Sequence, residues 1–256
     1  MKKSAIALAP LGLLVALPAG AADMRPAPLK APAPVVAAPA FSWTGCYVGG
    51  GGGYGMYNQD ARIFGPGVED TPSTTIGGRG WFATVQVGCD YQVGPRFVVG
   101  AFGDYDFSSI KGDAGFGEEL FGREKLKATW AVGGRLGYLP FQQQQFMVFV
   151  SGGYTQARFS GVTGVDGEGD PTDLSLPKHT YSGWFIGSGY EYALLWLPGL
   201  TWKTEYRFAD YGKESIRMLD LGVPSTTTVD VHKYVHTVRS TLTWRFNLGG
   251  PVVARY

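Results

Sequence analysis

The sequence predicts an all-β protein, an eight-stranded antiparallel up-and-down transmembrane β-barrel with short turns at one end and long loops at the other. Three observations predict it: an N-terminal export signal, strand-like segments with two different faces, and connections that alternate in length. The composition agrees, because 14% of the residues are aromatic and only 17% are charged, against about 25% in a soluble domain. A net charge of +1 gives no indication of nucleic-acid binding.

The first 22 residues have the features of a cleaved signal peptide. Lys2 and Lys3 precede an apolar stretch, residues 5–17, and small residues follow up to Ala22. The alternative is a retained membrane helix, but that would need about 20 apolar residues, and Pro10 interrupts this shorter stretch. We therefore expect residues 1–22 to be removed on export.

Residues 23–40 contain prolines spaced among alanines. Such a composition favours an extended chain that cannot form a packed core. We expect a periplasmic linker over 23–40 and a barrel over 41–256.

From Trp43 onward, segments of about ten residues alternate between apolar and polar side chains, the pattern of a strand with two different faces. The eight predicted strands are 43–57, 81–91, 97–107, 126–138, 146–158, 181–192, 200–210 and 235–246. Long connections, 58–80, 108–125, 159–180 and 211–234, alternate with short ones, 92–96, 139–145 and 193–199. Transmembrane barrels show this alternation, with short periplasmic turns and long extracellular loops.

One face of the predicted strands carries the charges. In the eighth strand, for example, Val238 and Leu242 lie opposite Arg239 and Arg245. We expect the charged face to line the lumen, where acids and bases of nearly balanced number pair with one another. The expected network consists of Asp104, Asp106, Lys127, Arg135, Glu191, Lys203, Glu205, Arg207, Arg239 and Arg245, and Asp90 lies on the same face of the second strand.

A soluble barrel or sandwich would share this alternation but would bury the apolar face. The position of the aromatic residues favours the membrane alternative, because many lie near strand ends, where barrels carry aromatic girdles. These residues are Trp81, Tyr91, Phe97, Tyr138, Tyr192, Trp202 and Phe246. Together with the export signal, they predict a location in the cell outer membrane. Side chains fill the lumen of an eight-stranded barrel, so we expect no wide channel.

Several segments resemble one family, the small outer-membrane β-barrel proteins related to the OmpA transmembrane domain and to opacity-type surface antigens, often called the porin family. The segments are FSWTGCYVGGGGGYG at 41–55, GDYDFSSI at 103–110, GGRLGY at 133–138, GWFIGSGYEYAL at 183–194, KTEYRFADYG at 203–212 and HTVRSTLTWRFN at 236–247. Each is weak alone, and together they cover essentially the whole mature chain.

The resemblance implies surface-exposed loops, roles in envelope integrity and host contact, and no catalysis. The implied partners are outer-membrane lipid, lipopolysaccharide, the barrel assembly machinery, and host or surface ligands of the loops, with no nucleic acid. The assembly machinery reads a terminal aromatic residue, for which Phe246 and Tyr256 are both candidates.

Cys46 and Cys89 stand where the family usually has aromatic residues. Aligning the glycines of the first strand with the inward glycines of the family makes Cys46 face lipid, as Cys89 does near the same end of the second strand. Two interpretations remain open: two small apolar side chains, or a cross-strand disulfide formed in an oxidising compartment.

No constellation of residues predicts an enzyme, a cofactor or a metal site. The three histidines, His179, His232 and His236, lie in or beside predicted loops with Ser182, Ser215 and Asp230, but no nucleophile motif surrounds them. The acids of one loop, Asp166, Glu168, Asp170 and Asp173, could bind calcium weakly but lack the spacing of a known calcium loop.

These observations favour a structural surface barrel with a filled lumen that contributes to envelope integrity and surface interaction. The alternatives are a small-solute pore of the same fold, a loop-based adhesin or ligand-binding antigen, with haem bound by the loop histidines as one case, and a soluble periplasmic carrier.

Overall fold

The structure is a computed structural model that describes residues 41–65, 74–116, 120–141, 144–165 and 170–246. Its strands are β1 Gly45–Phe64, β2 Thr74–Val93, β3 Phe97–Phe116, β4 Leu120–Tyr138, β5 Phe146–Phe159, β6 Val162–Val165, β7 Pro171–Leu176, β8 His179–Ala193, β9 Leu200–Asp220 and β10 Val223–Phe246. The predicted signal peptide and linker, together with Tyr256, lie outside the described residues. None of the described residues belongs to a helix long and apolar enough to cross a membrane.

Eight of the ten strands close into a ring of antiparallel pairs. The order around it is β1, β2, β3, β4, β5, β8, β9 and β10, and β10 pairs again with β1. The predicted fold class, an eight-stranded up-and-down barrel, is therefore confirmed. Closure leaves no edge strand, so every wall strand has hydrogen-bonded neighbours on both sides.

The strands are longer than predicted. β2 and β9 have 20 and 21 residues, whereas the alternation of apolar and charged side chains predicted about ten. Much of the four predicted long loops is therefore strand, with the described parts of 58–80, 108–125 and 211–234 continuing the barrel wall. The prediction failed there because the polarity of the two faces reverses beyond the membrane, although the alternation of side-chain direction continues.

The β6–β7 hairpin completes the wall where β5 and β8 have ended. β6 pairs with β4 through Phe121 and Val165, and β7 pairs with β9 through Leu174 and Asp220. The two hairpin strands also pair with each other. The predicted loop 159–180 is therefore in part a structured extension of the barrel.

Outward aromatic side chains form two girdles. The lower girdle, at the end with the short connections, contains Tyr91, Phe97, Tyr138, Tyr192, Trp202 and Phe246. The upper girdle contains Tyr54, Trp81, Phe107, Tyr154 and Trp184, with Trp130 packed edge-on against Tyr154. We call the part between the girdles the membrane-spanning half and the part above them the extracellular half, since short connections are periplasmic in bacterial barrels.

Glycines in the wall make room for inward aromatic rings. Gly133 and Gly153 are directly opposed in the β4–β5 pair. A Cβ at Gly133 would lie 2.8 Å from Cζ of Phe185, and a Cβ at Gly153 would lie 3.0 Å from its Cε1. The absence of side chains at these two positions allows the Phe185 ring to lie across the lumen.

Candidate functional site: a charged lumen filled by side chains

Four charged side chains form a closed ring low in the membrane-spanning lumen. Arg135 donates from Nε to Oδ1 of Asp90 at 2.8 Å and from Nη1 to Oε2 of Glu191 at 2.8 Å. Arg245 reaches the same two acids, with Nη1 2.7 Å from Oδ2 of Asp90 and Nη2 2.8 Å from Oε1 of Glu191. These residues come from β2, β4, β8 and β10, so the ring ties alternate strands of the wall together.

A second cluster lies directly above this ring. Arg207 binds Asp104 in a bidentate manner, with N–O distances of 3.0 and 2.8 Å. Arg239 bridges Asp104 at 3.2 Å and Asp106 at 3.0 Å. Glu205 lies between Lys203 at 3.5 Å and Arg207 at 3.3 Å. Each carboxylate of the lumen is therefore in contact with at least one cation.

The membrane-spanning lumen holds five acids and five bases, all buried: Asp90, Asp104, Asp106, Glu191 and Glu205, with Arg135, Lys203, Arg207, Arg239 and Arg245. Equal numbers matter here because an unpaired charge out of water costs several kcal/mol. Aromatic rings cover the cations, with the guanidinium of Arg207 4.2 Å from the Phe185 ring and that of Arg135 4.8 Å from the Tyr47 ring.

A periplasmic plug of buried apolar side chains closes the lower end of the lumen, formed by Trp43, Val98, Leu139, Met147 and Phe149. Trp43, which precedes β1, is fixed by two contacts with distant parts of the chain. Its indole Nε1 donates to the carbonyl of Gln144 at 2.7 Å, and its ring lies 4.7 Å from the Arg245 guanidinium. The segment that leads into β1 thus folds back under the charged ring.

An ion pair and an apolar core close the upper end. In the extracellular half, Nζ of Lys233 lies 2.9 and 2.7 Å from the two carboxylate oxygens of Glu124. The rings of Phe159, Tyr181 and Tyr57 surround this ammonium at 4.1, 5.0 and 5.5 Å. Burial raises the pKa of Glu124, and the nearby Lys233 opposes that shift.

Around and above the ion pair, the interior is an apolar core of the kind that soluble proteins have. Its buried apolar members include Ile110, Leu126, Val162, Leu176, Ile216, Met218, Val229 and Val231. Because all of them point into the barrel, water entering from the extracellular side meets a packed apolar layer before it reaches the charged clusters.

Lys127 is the one residue of the expected network that the structure places elsewhere. Its side chain is exposed on the outer surface. The β4–β5 pairing shifts register between Leu126 and Ala128, which is a β-bulge at Lys127. A bulge inserts one residue and reverses the side-chain direction beyond it. The other nine expected residues lie in the lumen with Asp90.

Sequence reasoning missed the upper ion pair. Glu124 and Lys233 both fall within segments predicted as loops, 108–125 and 211–234. The available signal was the apolar alternation that continues around them, in which Leu126, Val231 and Val235 share the inward face with these two charges.

Cys46 and Cys89 are direct partners in the β1–β2 register, and their Sγ atoms are bonded. Both face outward near the lower girdle. Phe246 ends β10 on the same outer surface and is directly opposite Cys46 in the β10–β1 pair.

The serines and histidines that could have formed a catalytic site are engaged elsewhere. Ser215 donates to Oδ1 of Asp230 at 2.5 Å, whereas His232 contacts Asp210 at 2.9 Å through Nε2 and Tyr234 through Nδ1. His236 pairs with the Tyr206 hydroxyl at 2.8 Å. Across the described part of the chain, no hydrogen bond joins a serine to a histidine, and no three potential ligands are grouped for a metal ion.

Known proteins resemble this chain in sequence and in fold. The chain is 30% identical over 252 residues to the 31 kDa outer-membrane immunogenic protein of Brucella melitensis biotype 1, covering 94% of this chain and 99% of that protein. The protein of the same name from Brucella suis biovar 1 gives the same values. The crystal structure of the outer membrane protein OprG from Pseudomonas aeruginosa superimposes with a TM-score of 0.50 at 12% identity, covering 79% of this chain and 97% of that one.

The likeness to OprG concerns the fold alone, given its low sequence identity. The outer membrane protein beta-barrel domain family matches residues 13–251, nearly the whole chain. With a filled lumen inside a girdled barrel and relatives named as outer-membrane immunogenic proteins, the chain belongs to the outer membrane protein beta-barrel domain family and is located in the outer membrane.

Proposed function

We propose that the protein is a closed structural barrel that anchors an extracellular β-structure on the cell surface and contributes to envelope integrity. The observation that carries this proposal is the filled lumen: a periplasmic plug, ten paired charges and an apolar extracellular core follow one another along the barrel axis. A pore would need a continuous polar path, and the apolar layers at both ends interrupt it.

The extracellular half supports a role in surface interaction. Its wall is made of regular strands, including the β6–β7 hairpin, and it therefore presents a fixed surface to antibodies, host molecules or other ligands. The Brucella relatives are named immunogenic, which fits a protein displayed in this way. We propose assembly by the barrel assembly machinery, with Phe246 as one candidate signal at the end of β10.

We also propose that the protein is not an enzyme. Support comes from the separation of the serines from the histidines, since a nucleophile requires a base within hydrogen-bond reach. Ser215 instead donates to the Asp230 carboxylate, and among the described residues neither of the two is hydrogen-bonded to a histidine.

Planar-bilayer recording of the refolded protein tests closure. We expect no stable conductance steps across a range of voltages, with a general porin in the same membrane as the positive control. Regular steps that persist in independently refolded samples would overturn closure and favour the small-solute pore.

Surface display is tested on intact cells with a membrane-impermeant maleimide. Lys213→Cys, exposed in the extracellular half, should label on intact cells. The matched variant Arg96→Cys, exposed in a short turn, should label only after the outer membrane is permeabilised. The reverse pattern would show that the barrel is oriented the other way.

The role in envelope integrity is tested in a deletion strain, which should become more sensitive to detergents and bile salts. Unchanged sensitivity would contradict that role.

A further inference from the structure

Five basic side chains form a belt on the outside of the barrel, immediately above the upper girdle. We call them the basic belt: Arg79 on β2, Lys111 on β3, Lys125 and Lys127 on β4, and Arg158 on β5. Four are exposed and Lys125 is partly buried. Arg79 precedes Trp81 by two residues on the same face of β2, and therefore lies about 7 Å above it along the strand. The belt therefore lies where the headgroups of the outer leaflet meet the barrel.

Strand register places these cations side by side. Arg79 is directly opposite Lys111, and Lys111 is directly opposite Lys125. Arg158 pairs with Ala128, next to the bulge that turns Lys127 outward. Like charges that face each other across strands are destabilising, so this arrangement calls for an anion to offset the repulsion.

The protein does not supply that anion within its described ranges. None of the five belt residues forms an ion pair there. The neighbouring acid Asp113 is bound to Arg123 at 3.4 Å, and Glu124, next to Lys125 in sequence, is buried in the barrel and paired with Lys233. The opposite wall differs, because outward acids accompany the bases on β1, β9 and β10. Asp60 accepts a hydrogen bond from Thr75, Asp210 contacts His232, and Asp230 accepts from Ser215.

We propose that the basic belt binds the phosphate groups of an anionic glycolipid in the outer leaflet. Three features favour this ligand over a soluble anion: the belt follows the membrane surface across four adjacent strands, it lies directly above aromatic side chains, and it is confined to one side of the barrel. A lipid anchored in the leaflet presents its phosphates at this height, with its acyl chains against the apolar wall below. Clustered Lys and Arg at a membrane surface attract anionic headgroups in this way.

The test uses full-length refolded protein in zwitterionic detergent micelles, titrated with diphosphoryl lipid A and followed by native mass spectrometry. The belt variant combines Lys111→Gln with Lys125→Gln. Its matched control combines Lys213→Gln with Arg217→Gln, two exposed bases on β9 that change the net charge equally. At about a fivefold effect per basic residue, the loss of two should make the belt variant bind roughly 30-fold more weakly, and the control should stay within about threefold of the unmodified protein.

Replacing the probe by dephosphorylated lipid A should weaken binding to the unmodified protein by a similar factor. Equal loss in both variants, or equal binding of the two lipid forms, would overturn the proposal, as would no binding to the unmodified protein. The comparison of the two lipid forms needs no variant, so it decides the question even if the belt variant fails to fold. Conductance has no bearing on the result, which makes this test independent of the closed-barrel proposal.

Discussion

Strand β10 runs through both halves of the barrel, and its inward side chains change character along its length. In the extracellular half the inward residues include Val229, Val231 and Val235, whereas in the membrane-spanning half they include Arg239 and Arg245. The outward residues change in the opposite sense, from Asp230 and His232 to Val238, Leu242 and Trp244.

Side-chain direction and side-chain polarity have different causes along this strand. The pleat alone sets which side chains point inward, and this alternation continues along β10 apart from two irregularities in its pairing with β9, between Pro224 and Thr228 and between His232 and Tyr234. The surroundings set which side chains are polar. Lipid outside requires an apolar outer face, and water outside permits an apolar interior. The change occurs near the upper girdle.

The largest effect is expected from breaking a charged cluster in the membrane-spanning half. Arg207→Leu should lower the free energy of unfolding by about 3–5 kcal/mol, because Asp104 and Glu205 lose a buried partner. Urea unfolding in lipid vesicles measures it. The control Lys127→Leu, on the outer surface, should change stability by no more than about 0.5 kcal/mol. A comparable loss in both would place Lys127 in the lumen after all.

Truncation of a buried leucine tests whether the extracellular half has a true core. Leu126→Ala should cost about 2–5 kcal/mol, because Leu126 is buried among the apolar side chains of that half and a cavity would remain. Leu136→Ala, on the outer face of the same strand, should cost about 1 kcal/mol or less, since lipid can fill the space. The same unfolding assay measures both variants. Equal costs would contradict a packed core in the extracellular half.

An added charge should distinguish the two outer faces. Val132→Arg places a cation against lipid and should cost about 2–4 kcal/mol near the bilayer midplane. Asn58→Arg places the same charge on the outer face of the extracellular half and should stay within about 0.5 kcal/mol. If both substitutions cost the same in vesicles, the boundary between the halves does not lie at the upper girdle.

The smallest effect concerns Cys46 and Cys89 near the lower girdle. Protein purified from the outer membrane and denatured without reductant should show no free thiol, and two thiols after reduction. The double variant Cys46→Ser with Cys89→Ser should still migrate differently in boiled and unboiled samples, because hydrogen bonds between strands close the barrel without the disulfide. Two free thiols per chain before reduction would contradict the bond.

Local alternation predicted the fold and most of the lumen. The charged face of the predicted strands contained all ten charged side chains that meet in the membrane-spanning lumen, nine of them in the expected network and Asp90 beside them. Lys127 was misplaced because a bulge depends on the register between two strands, which one strand does not show. Glu124 and Lys233 were missed because both lie in segments that were predicted as loops. Their pairing across the barrel depends on those segments being strands of the wall.

The sequence by itself determined the class of fold, the order of the eight wall strands and the side-chain direction within the predicted segments. It did so because pleating and the cost of placing charge against lipid act through local composition. Tertiary structure alone decided where the strands end, which acid binds which base, and that the β6–β7 hairpin replaces β5 and β8 in the wall. These features depend on register between segments distant in the chain. Ring closure fixes that register, since each strand must satisfy two neighbours at once.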